Sequence, residues 1–260
     1  MAHKKHRNKC FHPSVIEPFR VVPLRPEADV TPSAAPQAQL TYRNGPLISQ
    51  VEVFALYWGA AWGKSPGSDL QTKINQFFTD ILSSALIDQL SEYSVAGYSI
   101  GHGTFTGSAH ITTPSPGSSV DDSAIQKMLE DQIANNSALP QPGPNTLYFI
   151  FLATGTTVTQ GGSASCQAFC GYHDATTKNV FYAVMPYPDC QGCTGSMDVF
   201  TALTVTSSHE LCEAITDPLP GQGWYDDNNG EIGDICAWKT RKVGSYTVQQ
   251  EWSNRAGACV

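Results

Sequence analysis

The placement of cysteine constrains this chain more than any other feature. Of eight cysteines, Cys10 stands alone near the start, and Cys166, Cys170, Cys190, Cys193, Cys212, Cys236 and Cys259 all lie in the last hundred residues. An even number, clustered in this way, points to disulfides and an oxidising compartment. The competing reading is a four-cysteine zinc site built from Cys166, Cys170, Cys190 and Cys193, whose C-x3-C and C-x2-C spacing permits it. The pairing itself is not readable from spacing. The start, MAHKKHRNKC, is basic but is not followed by an apolar run of the signal-peptide kind. The expectation of a secreted, extracellular protein therefore rests on the cysteines and not on a leader.

Charge excludes two classes of partner. The 260 residues carry 15 Lys+Arg against 23 Asp+Glu, a formal charge of -8, and no dense basic patch occurs past the first ten residues. Nucleic acid is not an expected partner. The longest apolar stretches are about half of what a membrane-spanning helix needs, so no membrane partner is expected either. The first 45 residues hold Pro13, Pro18, Pro23, Pro26, Pro32 and Pro36 without a sustained hydrophobic period. They read as an extended proline-rich arm, its basic cluster Lys4, Lys5, Arg7 and Lys9 solvated. Residues 46–260 read as a single catalytic domain.

Periodicity supplies the elements of that domain. Val51 to Tyr57 and Thr146 to Leu152 are short, almost continuous apolar runs, as in buried strands, and Val180 to Met185 is similar. Leu70, Ile74, Phe77, Phe78, Ile81, Leu82, Leu86 and Leu90 recur at helical spacing, which predicts one or two amphipathic helices between Asp69 and Tyr93. Tyr98 to Thr106 reads as a glycine-broken strand. Asp121 or Asp122 caps a helix running to about Asn135, with Ile125, Met128, Leu129 and Ile133 on one face. Met197 to Ile215 is a long helical stretch, and short strands close the chain around Tyr246 to Trp252. The order gives an α/β (α+β) domain, with the cysteine-rich segment as an insertion ahead of the long helix.

That long helix carries the chemistry. In Ser208-His209-Glu210-Leu211-Cys212-Glu213, His209 and Glu213 are four apart and share a helix face, with Glu210 directed to the side. This is the spacing of the zincin helix, in which residues at i and i+4 hold zinc and the intervening Glu acts on the bound water. Glu213 stands where the usual pattern has histidine. A carboxylate can ligate zinc, but it adds negative charge and blunts the Lewis acidity of the ion. Thr216-Asp217-Pro218 ends the helix. A third ligand is expected downstream, where Asp234 between Ile232 and Ile235 is preferred and Glu231 is the alternative; His173, ahead of the helix beside the cysteine cluster, is a further candidate. Cys212 is a poor nucleophile, because Glu210 and Glu213 raise its pKa. No G-x-S-x-G elbow, phosphate-binding glycine loop or dinucleotide fingerprint is present.

Several separated blocks occur in one order. They are Tyr57-Trp58-Gly59, Phe169-Cys170-Gly171-Tyr172-His173, Cys190-x2-Cys193, His209-Glu210-Leu211-x-Glu213-Ala214-x-Thr216-Asp217-Pro218, Gly223-Trp224-Tyr225, Glu231-Ile232-Gly233-Asp234-Ile235-Cys236 and Val248-Gln249-x2-Trp252-Ser253-Asn254. From about residue 50 onward the chain resembles the phosphate-induced, EXORDIUM-like secreted proteins of plants and their bacterial relatives. The resemblance implies a secreted, cysteine-bridged, zincin-like domain, to which the helix pattern adds the expectation of a metallopeptidase. It implies no defined reaction.

The functional expectation is a secreted zinc-dependent hydrolase acting on a peptide or protein. His209, Glu213 and Asp234 would hold Zn2+, Glu210 would serve as general base, and His173 or Tyr225 would stabilise the oxyanion. A zinc-dependent esterase or phosphoesterase would use the same groups. The contrasting class is a non-catalytic cell-wall or polysaccharide-binding protein, with Tyr172, Trp224, Tyr225 and Trp238 as a stacking surface. Ca2+ is a further candidate: Asp226 to Glu231 has the composition of a calcium site without matching the twelve-residue calcium loop.

Overall fold

The structure, a computed structural model, describes residues 21–26 and 37–260. Its elements in chain order are β1 (Val21–Pro23), β2 (Thr41–Tyr42), β3 (Gln50–Trp58), α1 (Gly67–Ile81), α2 (Ala85–Leu90), β4 (Gly101–Ile111), β5 (Ser119–Asp121), α3 (Asp122–Asn135), β6 (Thr146–Leu152), β7 (Thr157–Gln160) and β8 (Ser163–Ala164). They continue with β9 (Phe169–Ala175), β10 (Phe181–Met185), α4 (Gln191–Thr194), α5 (Val199–Thr216), β11 (Trp224–Tyr225), β12 (Thr240–Val243), β13 (Tyr246–Gln249), β14 (Trp252–Ser253) and β15 (Ala258–Cys259).

The apolar run TLYFIFL forms β6, and all seven of its residues are buried. A strand apolar on both faces needs a layer on each side. Leu147, Phe149 and Phe151 point into a core shared with Phe77 and Phe78 of α1, Leu86 of α2 and Leu211 of α5. Tyr148, Ile150 and Leu152 point the other way, onto Ile125, Met128, Leu129 and Ile133 of α3. The result is a mixed α/β fold in three layers. Its central sheet has six strands in the order β1-β9-β10-β6-β3-β4. β10, β6, β3 and β4 run parallel, whereas β9 is antiparallel to β10 and β1 to β9. No helix among the described residues is long and apolar enough to cross a membrane.

The cysteine-rich segment is not an insertion, which corrects the expectation. β9 and β10, between and beside the cysteines, belong to the central sheet, with His173 opposite Ala183. Cys170 sits within β9 and is bridged to Cys193 of α4, and Cys166, ahead of β9, is bridged to Cys190. The third bridge, Cys236–Cys259, ties the turn after Asp234 to β15. Pairing at 23 and 24 residues' separation removes denatured-state freedom equivalent to about 3 kcal/mol per bridge. It also consumes the sulfurs of the alternative four-cysteine zinc site. Cys212 is a buried free thiol in α5, and Cys10 lies outside the described residues.

Parts of the proline-rich arm are built into the fold. Val22 of β1 is buried against Cys170 and Cys193 at the sheet edge, and Trp238 Nε1 donates to the Pro23 carbonyl. β2 pairs with β11, while the Asn254 amide both accepts from the Leu40 N–H and donates to the Leu40 carbonyl. The basic cluster Lys4, Lys5, Arg7 and Lys9 lies outside the described residues.

Candidate metal centre

α5 is buried from Ala202 to Thr216. Its N-terminus is capped by Asp198, whose carboxylate accepts from the Thr201 N–H at 2.7 Å. The helix lies between β9 and β10 on one side and β13 on the other, and small polar residues make this close fit possible. Thr204 Oγ1 donates to the Thr247 carbonyl at 2.8 Å. Ser208 Oγ accepts the Gln249 N–H at 2.9 Å. On the sheet side, a Cβ at Gly171 would come within 2.6 Å of Thr206 Cγ2. Glycine there lets the helix approach the strand beside His173.

Six ionisable residues converge at this junction. His209 Nε2 lies 2.9 Å from Glu213 Oε1 and 3.9 Å from Asp234 Oδ1. His173, reaching in from β9, places Nδ1 3.0 Å from Glu210 Oε2 and 3.5 Å from Glu213 Oε2. Its Nε2 faces the Asp217 carbonyl at 3.1 Å and Glu231 Oε1 at 3.5 Å. The side chains of His209, Glu210, Glu213 and Glu231 are sealed from solvent, and Asp234 is the least covered at 10 %. Two ligand groups result, His209/Glu213/Asp234 and His173/Glu210/Glu213, each with its donor atoms within 4.8 Å of one another.

The preferred triad of the sequence reading is therefore brought together. Glu231 is not part of either group; it sits at the opposite edge of the His173 ring. Glu210 does not stand clear as a free base but is hydrogen-bonded to His173 through Oε2. His173 has both nitrogens engaged by acceptors, so it has no N–H to spare for an oxyanion and instead orients Glu210. Tyr225 lies in β11 with the Arg43 guanidinium 4.4 Å from its ring centroid.

The electrostatics of the junction are extreme. Burial pushes Glu231 and Asp234 well above the usual carboxylate range, and raises Glu210 against the pull of His173. Burial acts the same way on Glu213, but His209 and His173 overcome it and hold its pKa at about 2. Burial disfavours the charged imidazoles, yet the surrounding carboxylates raise both histidines well above their ordinary value. Among the described residues, no lysine or arginine forms an ion pair with this group.

A divalent cation fits what the protein leaves unsatisfied. Glu210 Oε1, Glu213 Oε2, both Glu231 oxygens and His209 Nε2 are buried without a hydrogen-bond partner. Orphaned buried polar atoms are costly and rare in native folds. His209 Nε2 and Glu213 Oε1 are close enough to bond at 2.9 Å but are not aligned to do so. Glu213 Oε1 instead accepts the Asp234 N–H at 3.1 Å, and His209, Glu213 and Asp234 each offer a ligand atom within 4.8 Å of the others. Gly233 completes the cradle: a Cβ there would lie 2.8 Å from His209 Nδ1 and 2.9 Å from Glu213 Oε1.

Two supporting residues, Asp217 and Gln249, occur in the ordered sequence blocks without a role at the centre that the sequence assigns. Asp217, read from the sequence as part of the helix stop, accepts the N–H groups of Gly221, Gln222 and Gly223 while its carbonyl orients His173. Gln249 faces His209 Nδ1 at 2.7 Å with its amide nitrogen, which also donates to the Gly233 carbonyl. Its Oε1 accepts from the Trp238 N–H. This network sets the proton of a neutral His209 on Nε2, in the space an ion would take. Loading that position requires the amide to turn and accept an Nδ1 proton instead.

Two further expectations are corrected. The stacking surface does not form: Tyr172 is fully buried with its hydroxyl donating to Asp122, and Trp224 is half-buried with its indole N–H on the Tyr93 carbonyl. The acidic turn offers no calcium cradle, because Asp226 is occupied by the N–H groups of Gln39, Asn228 and Asn229 and Asp227 pairs with Arg43.

Fold and site thus define a mixed α/β protein with a cysteine-bridged sheet and a buried His/carboxylate cluster capable of coordinating a metal. No protein-family model matches the chain, and no curated protein matches it.

Proposed function

We propose that the protein is a secreted, metal-dependent hydrolase of the zincin type, with peptide bonds as its substrate class. The observation that carries this reading is the unaligned 2.9 Å approach of His209 Nε2 to Glu213 Oε1 across one helical turn, with Asp234 closing the third side. Three disulfides favour the extracellular assignment. The resemblance to EXORDIUM-like proteins points the same way and belongs to this proposal.

In this reading His209, Glu213 and Asp234 hold Zn2+. When bound, zinc supplies an acidified water and polarises a carbonyl. Glu210 Oε2 is fixed by His173, so Oε1, which has no partner, is the atom that accepts a proton and returns it to the leaving group. Tyr225, in β11 ahead of the Asp226–Asp234 segment, is the oxyanion donor assigned in this reading.

Complete burial favours a second reading, in which the ion fastens that segment to α5 and the protein is a binding scaffold. Activity on casein and a peptide library separates the two. The zinc-loaded protein should cleave, and Glu210→Gln should lower turnover by about 10²–10⁴-fold while at least one equivalent of zinc stays bound. Near-normal turnover in that variant contradicts the base assignment. A zinc-loaded protein inert on peptides and on activated esters leaves only the scaffold reading.

A further inference from the structure

We infer that the cluster is built for two divalent cations bridged by Glu213. The inference rests on the metal-centre reading above and extends it. The two oxygens of Glu213 diverge: Oε1 faces His209 Nε2 at 2.9 Å and Oε2 faces His173 Nδ1 at 3.5 Å. Each histidine belongs to its own ligand triad, and Glu213 is the member common to both. A carboxylate spanning two donor sets in this way is the bridge of a two-metal site, whose ions sit about 3.5–4 Å apart.

His173 is the better prepared of the two imidazoles. Its Nε2 is committed to the Asp217 carbonyl and faces Glu231 beyond it. A metal-ligating histidine characteristically has its outer N–H held by a backbone carbonyl or carboxylate, which fixes the other nitrogen as the donor. That nitrogen, Nδ1, faces Glu210 Oε2 and Glu213 Oε2. In the metal-free protein a proton joins His173 to Glu210. A second cation takes its place, and the proton leaves to solvent.

The donor inventory supports the same reading. Among the described residues, Glu210, Glu213, Glu231 and Asp234 form no ion pair with lysine or arginine, so the cluster lacks a cationic partner. The unpartnered Glu210 Oε1, Glu213 Oε2 and Glu231 oxygens are sealed from water and point to the same deficit. One nitrogen with several carboxylate oxygens at each position suits first-row cations such as Mn2+ and Zn2+.

The test uses the full chain, stripped with chelator and titrated with Mn2+. Elemental analysis after gel filtration should find two equivalents per chain. Electron paramagnetic resonance at full loading should show an exchange-coupled pair in place of the hyperfine pattern of isolated ions. His173→Ala should fall to one equivalent and lose the coupling, and Glu213→Ala should lose both ions. One uncoupled equivalent in the parent protein overturns the two-ion assignment and leaves the single-ion reading standing. Two equivalents surviving in His173→Ala also overturn it. No binding at all overturns the metal-centre reading itself. Should His173→Ala fail to fold, the spectrum of the parent protein decides alone.

Discussion

Gly233 matters to the centre as much as the residues that carry charge. It permits the loop backbone to lie against the cluster, with no room for a methyl group between itself and His209 or Glu213. Gly233→Ala should therefore displace Asp234 from the triad. The expected outcome is a loss of about 1–3 kcal/mol in urea unfolding, typical of overpacking, and at least a roughly tenfold weaker metal affinity. Unchanged affinity would place the ligands elsewhere. At this scale the sequence reveals neighbours along the helix and, in Asp234 between two isoleucines, the acidic residue that joins them. His209 and Glu213 are legible because four residues make one turn. The His173–Glu210 bond is not, because a strand 37 residues earlier supplies the histidine and only the sheet register aligns the two. The contact of Gln249 with His209 is hidden for the same reason.

α5 is the element on which both ligand groups hang. Its first turn depends on the Asp198 cap, so Asp198→Ala should cost about 1 kcal/mol, read as a lower urea midpoint with an unchanged slope. A change below about a tenth of that would mean tertiary packing alone holds the end of the helix. Elements with strong periodicity were readable. β6 has the bounds its apolar run predicts, and α3 starts at its Asp121 cap. The one-or-two-helix ambiguity resolves at Ser84, whose hydroxyl accepts from the Leu86 N–H and starts α2 afresh. β9 was missed because FCGYHDA lacks an apolar run: glycine and histidine face α5 where a sheet would ordinarily present large aliphatic residues. The feature that hid the strand is the one that makes room for the centre.

Across the whole molecule, burying so many carboxylates beside two histidines makes stability depend on protons. His173 and His209 are raised, so their contribution is present below the ordinary histidine range and is lost as pH rises through their folded values. Glu231 and Asp234 are raised too, so the folded chain keeps protons that the unfolded chain sheds above about pH 4.5. Glu213, at about 2, works in the opposite sense, and its contribution is lost as pH falls from about 4.5 through that value. The metal-free protein should therefore melt at progressively lower temperature from about pH 5 to pH 8. Zinc competes with those protons and should reverse the trend, adding about 2.7 kcal/mol at a hundredfold excess over its Kd. A metal-free melting temperature that climbs over this range would contradict the assignment of raised groups. The three bridges are independent of this effect and should hold the sheet edge in both forms.

The central claim is that the junction of α5, β9 and the Gly230–Cys236 segment is a metal centre. Elemental analysis of the freshly purified, untagged protein beside Glu213→Ala tests it most directly. The predicted result is at least one equivalent of a divalent first-row metal per chain in the parent and none in the variant. A parent protein that carries no metal and takes up none on titration, or a variant that keeps its full complement, would contradict it.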